Sequence, residues 1–497
     1  MIRNIVRFSI LSLAAVFLAS CAAGSLADRS TGSITFAFPK SVQPRGIEDE
    51  YQVVIYYGLD RYEAAPDVSG NELIFTGIPT GNVRIIVAKG SKEDGFFYTE
   101  KYGQRFIKIV PGDNGPYDLN LKTSELVRVE DLKGKRINGL AALDGLLYAS
   151  TVGALSEITY SGGGFTVTPG PVVPAGIAVN SLSLGKTYES DEWKPQVWVN
   201  GTWSESAGGG IAPWNGGTLD FDFAAGFGNP ANRKGGALTS FEISYSGAFA
   251  VDNVEEGLAI FFQRDGGIGG LYLTPGEFTA PDKSAWPWIV DDINFEELLG
   301  DVVEEGTEFV KDLIVSPESS AAYVVTSIFT MKVSEEFITA GSAPQSAGDF
   351  LNSESVAFAP YLGSDNVCIE LGASSTGTET IYVGTENGLY KGSSSNLPGE
   401  FFGSGGATLV QGTAGYYIKL IAASPDGKKV AFAARRGANP DLLIVVDNDS
   451  KKVVDLRGLQ GLPGTRLSNL IWLDDADELL AVSGERGLAL LDVTQLF

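Results

Sequence analysis

Tyr417-Ile418-Lys419-Leu420-Ile421-Ala422-Ala423-Ser424-Pro425-Asp426-Gly427-Lys428-Lys429-Val430-Ala431-Phe432-Ala433-Ala434 is the stretch that decides the fold. Two apolar runs flank a turn: Pro425 presets φ at the first corner, Asp426 takes the second, and Gly427 supplies the left-handed position that sends the chain into the next strand. The pattern continues with an apolar run at residues 441–446, the polar corner Asp447-Asn448-Asp449-Ser450, and a further run at 452–456. Four short strands follow one another in a single meandering cycle. A degenerate echo stands at Leu313-Ile314-Val315-Ser316-Pro317-Glu318-Ser319-Ser320-Ala321-Ala322-Tyr323-Val324-Val325, where Glu318 and Ser319 replace the Asp and Gly and the strand-turn-strand frame survives.

Looser cycles align with this one. Inner strands are expected to begin near Ile137, Asn180, Leu238, Phe309, Ser353, Tyr416 and Leu467, and second strands at residues 146–150, 196–200, 258–263, 323–327, 380–385, 430–434 and 478–483. Seven cycles over residues 126–497 take about 53 residues each, and the loose spacing leaves six or eight open. Cycles that each leave strand edges exposed are best closed into a ring. The Ser-Pro-Asp-Gly-Lys cycle resembles the blade of TolB-type and related WD-like β-propellers, which implies a β-propeller over residues 123–497. The last cycle ends with its third strand, at residues 488–493. Residues 126–132 alternate apolar and charged and belong to no earlier cycle, so they are expected to pair beside that strand and close the ring.

Residues 33–122 read differently. Period-two segments at 34–38, 51–57, 72–76, 83–88, 105–110 and 117–121, separated by Pro, Gly, Asn and Asp clusters, predict a small β-sandwich. Within it, Gly77-Ile78-Pro79-Thr80-Gly81 lies between two apolar runs and is expected to reverse the chain as a hairpin, Pro79 presetting φ and Gly81 accepting a positive one. This stretch resembles the "strand, Gly-φ-Pro-x-Gly, strand" signature of transthyretin-like and carboxypeptidase-regulatory-like modules. The resemblance implies a spacer or binding domain without chemistry of its own. The fold class expected for the whole chain is therefore all-β.

Ahead of the sandwich, Arg3 and Arg7 precede the apolar residues 8–18, a run of 11 that suits a secretion signal and is too short to span a bilayer. The run ends in Leu18-Ala19-Ser20-Cys21, which resembles the lipobox of bacterial lipoproteins. That resemblance implies removal of residues 1–20, a diacylglycerol on Cys21 as lipid anchor, and membrane attachment through it. Residues 21–32 are small and polar and read as a flexible tether. Ala22, rather than an acid, follows the cysteine, which in proteobacterial lipoproteins goes with the outer membrane; the face, periplasmic or surface, stays open. Cys368 then has no partner for a disulfide and reads as a small buried hydrophobe.

Composition narrows the function. The 497 residues include 61 acids against 36 bases, a formal charge of −25, and no histidine. Such a charge disfavours nucleic acid as a partner, and the missing imidazole removes Ser-His-Asp triads, Cys-His pairs and histidine-ligated metals. Phosphate-binding glycine loops and a Gly-x-Ser-x-Gly elbow are not found, so no catalytic residue, cofactor or metal ligand is assigned. Weak ligand-binding candidates are Trp203 and Trp214, set among Gly208-Gly209-Gly210, Gly216-Gly217 and Gly235-Gly236, where an exposed indole could stack on a sugar face or a partner's apolar surface. Trp198, in Val197-Trp198-Val199, reads as core. Residues 291–305 place Phe295, Leu298, Leu299 and Val302 at helical spacing and are expected to form a short amphipathic helix with a solvated acidic face. The favoured expectation is a lipid-anchored envelope protein whose propeller is a non-catalytic binding platform for a protein or glycan. The alternatives are a scaffold in envelope or outer-membrane assembly and a metal-dependent propeller hydrolase.

Overall fold

The computed structural model describes residues 30–37, most of 50–161 and 164–219, chiefly the strands between 241 and 359, and residues 365–497 apart from 373–378, 394–406 and 474–477. Regular structure among the described residues is β-strand, with three-residue 3-10 turns between some strands. No helix among them is long and apolar enough to cross a membrane. The proposed lipid-anchor position, Cys21, lies outside the described residues.

The chain divides into two units, Met1–Ser124 and Glu125–Phe497. In the first, one sheet orders Asp67–Ser69, Glu72–Pro79, Thr31–Ala37 and Gly112–Asp118, the last pair running parallel. The other orders Asp60–Tyr62, Tyr51–Tyr57, Gly81–Glu93, Phe96–Ile109 and Lys122–Thr123, all antiparallel. Ile34, Phe36, Leu73, Phe75 and Ile78 from the first sheet share one core with Ile55, Val83, Ile85, Val87 and Ile109 from the second. Two sheets over one apolar layer make a sandwich. The expected hairpin around Pro79 is corrected: Glu72–Pro79 and Gly81–Glu93 belong to different sheets, so the motif is a crossover between layers. Gly77 at φ 70° and Gly81 at φ 147° let the backbone leave one sheet plane and enter the other, which no L side chain adopts easily. Pro79 itself is buried, and its carbonyl accepts the Tyr57 hydroxyl.

Among the described residues the second unit contains seven antiparallel sheets. In chain order their innermost strands are Gly139–Leu143, Ile177–Glu189, Phe241–Ser246, Val310–Val315, Asn366–Gly372, Tyr417–Ala423 and Leu467–Trp472. Each packs against the next, and the seventh packs against the first, so the sheets form a closed cycle. Five of these strands carry a register irregularity at the same place, between their opening residues: at Val179/Ser181, Val310/Asp312, Asn366/Cys368, Ile418/Leu420 and Leu467/Asn469. One extra residue there raises the local twist and re-aims the side chains that follow.

The Ser424 turn shows how sequence makes one sheet corner. The Ser424 hydroxyl donates to Asp426 Oδ1 at 2.6 Å, the Lys428 and Lys429 amides donate to Asp426 Oδ1 and Ser424 Oγ at 2.9 Å each, and Gly427 sits at φ 70°. Burial pushes the Asp426 carboxyl up, but the Ser424 and Lys428 hydrogen bonds and the Lys428 charge outweigh it and hold the group at about 2.

Two expectations are corrected in this unit. The apolar run near Ser353 becomes Val356–Ala359, the outermost strand of the fourth sheet, paired with Thr330–Ser334. The fifth inner strand is Asn366–Gly372 instead, because its Ile369 and Cys368 are buried between sheets while a short four-residue run suffices for an outer edge. The helix expected over 291–305 begins inside strand Trp288–Asn294, whose backbone pairs with Gly267–Leu273; residues 295–305 lie outside the described residues. The second sheet has three described strands, Ile177–Glu189, Glu192–Trp203 and Gly209–Pro213.

The seventh sheet draws its outer strand from the start of the unit. Leu126, Val127 and Arg128 pair antiparallel with Leu491, Leu490 and Ala489. The contact continues as Val129 N donates to Leu488 O at 2.9 Å and Gly134 N to Arg486 O at 3.0 Å. Leu126 joins the core of the sixth and seventh sheets, and Val129 and Leu132 join that of the seventh and first. Losing three such buried side chains costs about 5 kcal/mol. A chain beginning at Ile137 should therefore melt several degrees below one beginning at Ser124 in a calorimetric scan, and coincident melting curves would overturn the closure.

Candidate functional site

At the start of four of the seven inner strands, the first, fourth, fifth and seventh, a polar side chain reaches the backbone of a neighbouring sheet. Asn138 Nδ2 donates to Val179 O at 2.8 Å, joining the first sheet to the second. Asp312 accepts from Ile369 N at 3.0 Å, joining the fourth to the fifth, and Asn366 answers with bonds to Thr326 O at 3.1 Å and Ser327 O at 3.0 Å. The Cys368 thiol lies 3.6 Å from Ile418 O on the sixth sheet. Ser468 Oγ donates to Ile137 O at 2.7 Å, returning the cycle from the seventh sheet to the first. Side chains of the third sheet lie outside the described residues.

The strongest link is ionic. Asp441, its carboxylate fully buried, receives Lys419 Nζ at 2.9 Å, Arg466 Nη1 at 3.2 Å and Leu467 N at 2.8 Å. Arg466 also donates to Asn439 O at 2.7 Å. One carboxylate thus fastens the third strand of the sixth sheet to the first of the seventh, and removing it would strand two cations and an amide.

A second set of links uses aromatic side chains whose polar tips reach the adjacent sheet. Trp472 Nε1 donates to Ala422 O at 3.0 Å, Tyr323 OH donates to Glu379 Oε2 at 3.3 Å, and Asn448 Nδ2 donates to Tyr382 OH at 3.1 Å. Lys332 and Lys391, register partners of the two tyrosines, lie 5.7 and 5.8 Å from their ring centres. Trp214 belongs to this set. Its ring meets Tyr148 edge-on at 5.0 Å, its Nε1 donates to Glu157 Oε1 at 3.1 Å, and only 5% of it is exposed. The ligand platform expected at Trp214 is therefore corrected to an inter-sheet clasp: the indole face that a sugar would need is covered by the first sheet. Trp203 ends the strand Glu192–Trp203 opposite Ile177, and its side chain lies outside what is described. Trp198 is fully buried.

Electrostatics follow this packing. Burial raises the Cys368 thiol well above its usual range, reinforced by the nearby Asp312 charge, so the thiol stays protonated and behaves as a small apolar group. Burial also raises Tyr148 and Tyr382 and lowers Lys391. Asp312 is pushed up to about 6 by burial, against the lowering effect of the Ile369 and Leu313 amides. Among the described residues no group of three or more Cys, Asp or Glu is placed to hold a metal ion. Asp312, Asp441 and Glu379 are each engaged in the links between sheets.

No family model matches the chain, and no curated protein does. Among solved structures, the computationally designed Ika8 protein aligns with a TM-score of 0.37 at 12% identity, over 87% of this chain and 98% of that one. PorZ, a surface component of the type-IX secretion system of Porphyromonas gingivalis, aligns at 0.44 and 10%, over 84% of this chain and 56% of its own. The extracellular domain of BT3049 from B. thetaiotaomicron gives 0.41 and 11% with the same coverages. This chain spans little more than half of the last two, and at these scores the likenesses assign it neither an activity nor a partner.

The links explain a pH dependence. A carboxyl whose folded value lies near 6 against 3.8 in the open chain binds its proton more tightly when folded, so the contribution of Asp312 to stability is fullest below about pH 4 and is lost as pH rises through 6. The shift is worth about 3 kcal/mol if fully desolvated, and residual solvent contact trims it to about 2. Relative to Asp312→Asn, the unsubstituted chain should lose about that much between pH 4 and pH 6.5 in denaturant titrations; a pH-independent difference would overturn it.

Proposed function

We propose that the chain is a lipid-anchored protein of the bacterial cell envelope, in the outer membrane, whose second unit is a seven-bladed β-propeller acting as a binding platform for a protein or glycan. The observation that carries the reading is the closed cycle of sheets, whose described buried acids serve as fasteners between sheets. A scaffold built this way offers its loops and edges as surface for recognition. Anchoring is supported by Leu18-Ala19-Ser20-Cys21 and by the small, polar residues that follow it. The sandwich unit then stands as the spacer between lipid and propeller.

The test has two arms. Cys21→Ser should move the protein from the membrane to the soluble fraction, since the acyl chains are its hold on the bilayer; continued membrane association of that variant would discard the anchor. Quantitative cross-linking of the native, tethered protein in the envelope should yield a discrete larger species, and a monomer alone at saturating cross-linker would discard the binding role.

A further inference from the structure

Among the described residues the sandwich unit leaves part of one strand edge open, and that opening has defined ends. Strand Phe96–Ile109 is paired along one side with Gly81–Glu93, from Glu93↔Phe96 to Gly81↔Ile109. On its other side, among the described residues, only Lys101 and Tyr102 have strand partners, Thr123 and Lys122. At Gly103 the chain still passes close by: a Cβ there would fall 2.7 Å from Asn120 O. At the far end Asn114 covers the backbone of Val110, its Oδ1 accepting from Val110 N at 3.1 Å and its Nδ2 donating to Val110 O at 2.9 Å. Between these two stops, residues 104–109 present backbone donors and acceptors along an edge about 20 Å long.

Edges are commonly blunted with charge, and Arg105 and Lys108 serve that end here. Two features go beyond blunting. Residues 101–109 carry Lys101, Arg105 and Lys108 and no acid, in a chain with 61 acids and 36 bases. At the centre of the open row stands Phe106, 74% exposed. Its ring is held in place: the Arg84 guanidinium lies 5.7 Å from the ring centre, and Gln104 Oε1 fixes that guanidinium at 3.1 and 2.8 Å. Arg105 is likewise stacked over Tyr117 at 5.7 Å. A pre-positioned aromatic flanked by cations on an unpaired strand edge is built to receive a chain.

We propose that residues 104–109 are a strand-addition site for an extended, acidic segment of a partner protein, with an apolar side chain over Phe106 and carboxylates beside Arg105 and Lys108. Main-chain hydrogen bonds give the hold and the alternating side chains give the selection. Gln104, Phe106 and Lys108 share one face of the strand, while Ile107 and the buried Ile109 share the face toward the core. The added strand must therefore be apolar where it meets Ile107 and Phe106 and acidic where it passes the cations, since residues directly opposite on paired strands lie about 5 Å apart. The proposal depends neither on the lipid anchor nor on the propeller.

The probe is a fluorescein-labelled heptapeptide with Glu-Val-Val-Glu at its centre, which sets the two glutamates opposite Arg105 and Lys108 and the two valines opposite Phe106 and Ile107, titrated with the full-length chain and followed by anisotropy. Controls are the same peptide with lysine for glutamate and the glutamate peptide N-methylated at alternate amides. The glutamate peptide should bind at least tenfold tighter than either control. Phe106→Ala should weaken it at least fivefold, and Lys108→Glu should shift preference toward the lysine peptide, with thermal melts of both variants matching the parent. Equal binding of the two charge forms, binding untouched by N-methylation, or unchanged affinity in both variants would overturn the site. So would tighter binding of a single-stranded oligonucleotide that displaces the peptide.

Discussion

Pairing of Leu126, Val127 and Arg128 with Leu491, Leu490 and Ala489 is the contact on which the second unit depends. Without it the seventh sheet is one strand short and the cores on either side of the seam lose Leu126 and Val129. Each of these sheets is short and has two faces, so none can bury its apolar residues alone. Closure gives every described sheet two neighbours and places Leu126 and Val129 in cores on either side of the seam. The two ends of the unit, more than three hundred residues apart in sequence, are thereby made one cooperative edge.

Closure brings the starts of the inner strands together, and there the polar links follow. An inner strand has one edge unpaired, and an amide buried at such an edge must find an acceptor. Asp312 serves Ile369 and Asp441 serves Leu467. At Asp312 the bulge lies directly before the side chain that crosses, and in the sixth sheet the extra residue is Lys419, whose ammonium meets Asp441. Aromatic residues do the same work farther along, where the tips of Trp214, Tyr323, Tyr382 and Trp472 bridge adjacent sheets. Buried polar contacts of this kind fix register more than they add stability, because each must offset its own desolvation.

The two units differ in how they treat an exposed edge. The cycle of the second absorbs the edge at its seam, whereas the sandwich leaves one side of residues 104–109 without a strand partner among the described residues and dresses it with Arg105, Phe106 and Lys108. An edge that stays soluble in this way is available for a selective partner and closed to indiscriminate pairing.

The sequence by itself determined the all-β class, the Ser424 turn and the second strands of the cycles. Pro425, Asp426 and Gly427 act within a few residues of one another, so their turn was legible, and so was the orphan alternation of residues 126–128 that closes the ring. The partners of Asn138, Asp312, Asn366, Asp441 and Ser468 were not legible, although a polar residue at the head of four apolar inner strands was the signal that aligning the cycles would have exposed. Only the tertiary structure decided that Trp214 faces inward, that the Pro79 motif crosses between sheets, and that the run near Ser353 is an outer strand. The physical reason is the same in each case: periodicity records which residues avoid water, while the sheet that covers them is set by contacts far along the chain.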